Sequence, residues 1–81
     1  MRNRFDEQLM LLNTELMKMG ALCEGAISYA VKFLTENDLE MKENALEAEK
    51  QIDRKEREIE SLCMKLLMHQ QPVATDFRMN T

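Results

Sequence analysis

Val31-Lys32-Phe33-Leu34-Thr35-Glu36-Asn37-Asp38-Leu39-Glu40-Met41 is the stretch on which the fold turns. Apolar residues at helical spacing run into it from one side and resume on the other, and Thr35-Glu36-Asn37-Asp38 interrupts them with polar groups. Asn37 or Asp38 suits the N-cap of a helix beginning at that point, because a short side-chain oxygen accepts the orphan amides of a first helical turn. The stretch therefore reads as a tight turn between two helices.

On its N-terminal side, Phe5, Leu9, Leu12, Leu16, Met19, Cys23, Ala26, Ala30 and Phe33 recur at alternating steps of four and three, a sustained seam. Leu22, Ile27, Val31 and Leu34 widen the apolar face, and Met10 and Met17 extend it, so this helix is expected to face two neighbours. On the C-terminal side Met41, Ala45, Ala48, Ile52, Ile59, Leu62, Cys63 and Leu66 form a second stripe. Only Lys55 interrupts it before His69 and the Gln-Gln-Pro stop. Helix 1 is placed at residues 4–35 and helix 2 at 38–69. Each spans roughly 45 Å at the α-helical rise, and a short connection makes them antiparallel neighbours.

Gln70-Gln71-Pro72-Val73-Ala74-Thr75-Asp76-Phe77-Arg78 then reads as the opening of a third helix at residues 73–81, with Pro72 in the first turn and Asp76 near the positive helix end. The sequence stops three residues later, which suggests a piece of a larger bundle. The expected class is all-α: one partial domain over residues 1–81, a long helical hairpin with the start of a third helix, completed by self-association. Two hairpins forming a four-helix arrangement would cover the wide apolar faces.

Composition agrees with a helical bundle or coiled coil: 44% hydrophobic, 32% charged, 5% aromatic, two glycines, one proline and eight methionines. The net charge is −4 and the eleven basic residues are interleaved with acidic ones, leaving no continuous basic stripe for a nucleic acid. No apolar run is long enough to cross a membrane, and Met1-Arg2-Asn3-Arg4 is followed by no apolar signal segment, so a cytoplasmic protein is expected. Cys23 and Cys63 have no CxxC spacing and read as small buried thiols of a reducing compartment.

The chemistry available lies on helix 2. Glu49 and Asp53 are four apart, so their carboxylates lie one above the other, and Glu56 and Glu60 continue the row. The row borders the groove where a third helix would dock, and stacked oxygens there could hold a hard or borderline cation. The plainer reading is a solvated face, with Asp53 and Arg57 as an ordinary i,i+4 pair. His69 reads first as a C-terminal dipole partner and the methionines as core filler. No nucleophile–base pair, glycine-rich phosphate loop or HxxxH spacing occurs, which argues against an enzyme.

Three stretches together carry a family resemblance: Arg4-Phe5-Asp6-Glu7-Gln8-Leu9, then Glu47 through Glu60, then Gln70-Gln71-Pro72-Val73-Ala74-Thr75-Asp76-Phe77-Arg78. With these the chain resembles the PhoU family, regulators of bacterial phosphate uptake. A full-length member looks like two repeated three-helix bundles, so the resemblance implies that this chain holds the first two helices of one bundle and a stub of the third. It also implies an acidic motif, Glu/Asp-x-x-x-Asp, on the second and third helices of each bundle, binding metal and in some members a multinuclear iron cluster. Glu49 and Asp53 match the second-helix copy, Glu56 is a possible addition, and the third-helix copy has no counterpart in this sequence. Asp76 cannot replace it, since the start of helix 3 would lie about 30 Å from Asp53.

Lys55 departs from the pattern, where the family tends to have leucine, and is expected to weaken one core contact or to leave its face exposed. The role the resemblance implies is that of a non-catalytic adaptor coupling the phosphate transporter's ATPase subunit to a sensor histidine kinase in the phosphate-starvation response. Two other readings stand beside it. One is a helical hairpin whose only activity is self-assembly, and the other is a metal-dependent protein in its own right.

Overall fold

The structure, a computed structural model, describes residues 3–69. Two helices fill that span, α1 at Arg4–Glu36 and α2 at Leu39–His69, and they pack along each other as a hairpin. The third-helix start expected at residues 73–81 lies outside the described residues.

Capping chemistry sets the ends. Asn3 is extended and its Oδ1 accepts the N–H of Asp6 at 2.8 Å, while Asp6 and Glu7 place negative charge in the first turn. At the other end Asn37 adopts the left-handed conformation, φ 55° and ψ 36°, and donates its N–H to the Phe33 carbonyl at 2.8 Å. This is an αL cap, and asparagine is one of the few residues other than glycine that enters that region readily. Asp38 then caps α2: its Oδ1 accepts the N–H of Glu40 at 3.0 Å and its carbonyl accepts from Met41 and Lys42. The two candidates for the second N-cap thus have separate jobs, Asn37 ending α1 and Asp38 starting α2. Against the spacing-based bounds, α1 runs to Glu36 and α2 begins at Leu39, because Asp38 stays outside as the cap.

Packing corrects the phase of the α1 seam. Phe5, Leu12, Met19, Ala26 and Phe33 turn inward as the spacing requires, but the alternate positions are Gln8, Glu15, Leu22 and Tyr29. Leu9 and Leu16, expected in the seam, are 42% and 49% exposed, whereas Glu15 is only 7% exposed. The helix is rolled so that the residues three after each anchor, rather than four, face α2; Cys23 and Ala30 remain half-buried on the edge. On α2 the expected stripe lies inward throughout, with Ala48 and Leu66 the most buried and Met41, Ala45, Ile52, Ile59, Leu62 and Cys63 half-buried.

A hairpin this long has two broad faces. One carries a shallow groove lined by Ala21, Leu22, Gly25 and Tyr29 of α1 and by Asn44, Glu47, Ala48 and Gln51 of α2. At about 100° per residue, Leu9, Leu16, Ile27, Val31 and Leu34 of α1 lie on the opposite face, together with the Glu49, Asp53 and Glu56 row of α2. All five apolar residues are exposed, Leu34 at 78%. Two helices therefore bury one stripe each and leave a second apolar shoulder of α1 uncovered. Among the described residues no helix is long and apolar enough to cross a membrane.

Candidate functional site

Glu49, Asp53 and Glu56 line an open groove along the outer side of α2, with Leu46, Lys50 and Ile52. Helical spacing alone creates this arrangement, since steps of four and three return side chains to one side of the helix. All three carboxylates are exposed. Asp53 Oδ2 lies 3.0 Å from Arg57 Nη1, the ordinary i,i+4 ion pair on a solvated face. A hard cation takes six or more oxygens, and two or three carboxylates from one helix provide part of such a shell at most. Among the described residues no group of three or more His, Cys, Asp or Glu side chains converges as a metal site. The row lines an open groove and, among the described residues, does not have the geometry of a complete metal site.

His69 is the last residue of α2, at the negative helix end, and its Nδ1 lies 2.7 Å from Gln8 Oε1. An amide oxygen only accepts, so with this amide orientation the imidazole donates through Nδ1. The contact ties the open end of the hairpin together. Cys23 and Cys63 are both free thiols, half-buried.

The polar cluster that sequence reasoning missed is at the seam. Lys55 Nζ donates to Glu15 Oε1 at 2.6 Å and to Glu58 Oε2 at 3.1 Å, and Lys18 Nζ sits 3.2 Å from Glu15 Oε2. The hydrogen bond from Lys55, then that from Lys18, holds the Glu15 carboxyl below its ordinary range. In return the Glu15 carboxylate, then Glu58, pushes the Lys55 ammonium up. Lys55 therefore does not simply weaken the core. It occupies the α2 stripe with a charge that α1 answers, and its side chain is only 16% exposed. A signal was present in the sequence: one cation within an apolar stripe calls for an acceptor on the facing helix, and Glu15 is the acidic residue three positions after the seam anchor Leu12.

The PhoU domain profile matches residues 16–81. The chain is 38% identical over 78 residues to a phosphate-specific transport system accessory protein PhoU homolog of Synechocystis sp., covering 96% of this chain and 35% of that protein. It is 33% identical over 76 residues to a homolog of the same description from Pseudomonas putida, across 94% of this chain and 30% of the relative. The accessory protein PhoU of Escherichia coli is 26% identical over 76 residues, across 94% and 32%. The chain spans about a third of the length of these curated relatives. No solved structure matches it. The profile begins at Leu16, one residue after the buried Glu15, and takes in all of α2 with its acidic row; with two helices of the expected kind and relatives aligned along nearly its whole length, the chain belongs to the PhoU family.

Proposed function

We propose that this chain contributes two helices to a cytoplasmic regulator of bacterial phosphate uptake that works by protein contact and without catalysis. The observation that carries the reading is the alignment of nearly the whole chain with accessory proteins of phosphate-specific transport systems. The partners that fit are the transporter's ATPase subunit and the sensor histidine kinase of the phosphate-starvation response. The uncovered α1 shoulder is compatible with a protein that acts through helix faces, since exposed apolar patches of this kind mark contact surfaces. Covering that shoulder calls for a third helix or for another copy of the chain, which makes a homo-oligomer part of the proposal.

Metal binding is a subordinate element. Glu49 and Asp53, with Glu56 beside them, would supply one side of a cation site whose remaining oxygens come from another segment or another copy. The bound ion would neutralise the acidic row and tie two helices together.

The test is a pull-down of the ATPase subunit and the sensor kinase with a version extended through the third helix. Retention of either supports the adaptor reading, and retention of neither removes it. The second reading, a self-assembly module with no signalling role, rests on the same bare apolar shoulder and predicts a defined oligomer that recruits no partner.

A further inference from the structure

We draw no further inference here: the strongest candidate, the uncovered apolar shoulder of α1 formed by Leu9, Leu16, Ile27, Val31 and Leu34 beside the acidic row of α2, carries none, because nothing among the described residues shows what covers it.

Discussion

Replacing Leu66 by alanine removes the largest well-buried apolar side chain that α2 presents to α1, one that is 7% exposed. A Leu→Ala change at a closed core site costs about 2–5 kcal/mol, and a two-helix layer relaxes more readily than a deep core, so about 2–3 kcal/mol is expected. Leu16 serves as the internal comparison. Its 49% exposure means that about half of the side chain's transfer energy is realised in the hairpin, on the order of 1 kcal/mol. The assay is urea unfolding followed by the helical signal at several chain concentrations. At a urea slope of about 1 kcal/mol/M, the low end for small domains, a difference of about 1–2 kcal/mol separates the two urea midpoints by about 1–2 M. A Leu66→Ala penalty under about 0.5 kcal/mol would refute the packing described here. The concentration dependence is equally informative, because a Leu16→Ala penalty that grows with concentration shows that the uncovered shoulder becomes buried between copies, as mass action requires.

The turn, the seam charges and the acidic row yield further expectations. Asn37→Gly should be tolerated and Asn37→Val should cost about 1–2 kcal/mol, since φ 55° is open to glycine and hindered for a β-branched residue; equal urea midpoints would show that the turn imposes no such strain. Asp38→Ala should cost about 1 kcal/mol through loss of the α2 cap, read in the same unfolding curves. Glu15 is depressed from its ordinary value of 4.5, so its stabilisation is present above that value and is lost as the pH falls through the folded-state pKa. Lys55 is raised from 10.5, so its contribution is complete below that value and is lost as the pH rises through the folded-state pKa. Stability should therefore hold a plateau between the two, and Glu15→Gln with Lys55→Met should remove both of these contributions to the pH dependence. Glu49→Ala with Asp53→Ala should leave the unfolding midpoint within about 0.5 kcal/mol, because both groups and the Arg57 partner are exposed. Below about 0.1 ion per chain after purification without chelator, this chain by itself does not hold a metal.

The acidic row shows how far one helix can be read without its neighbours. Spacing alone puts Glu49, Asp53 and Glu56 on one side of α2, and the structure lines one groove with them. Whether such a row binds a cation depends on oxygens from another element, which lie beyond the reach of intrahelical periodicity. The Asp53–Arg57 pair was legible for the same local reason that the row was. Glu15 and Lys55 are forty positions apart, and no local pattern links them.

The sequence by itself determined two long helices, the polar break between them, and the inward stripe of α2. These depend on local spacing, capping chemistry and the shortness of the turn, all of which act within a few residues. Only the tertiary structure decided which side of α1 faces the partner. At Leu9 and Leu16 the helix offers apolar residues four after Phe5 and Leu12, and at Gln8 and Glu15 polar ones three after the same anchors. A period of 3.6 lies between three and four and favours neither. Hydrophobicity alone chooses the leucines. In the structure Glu15 rather than Leu16 faces α2, where it meets the half-buried Lys55, and Leu9 and Leu16 are left exposed; spacing within α1 carries no information about what the facing helix offers.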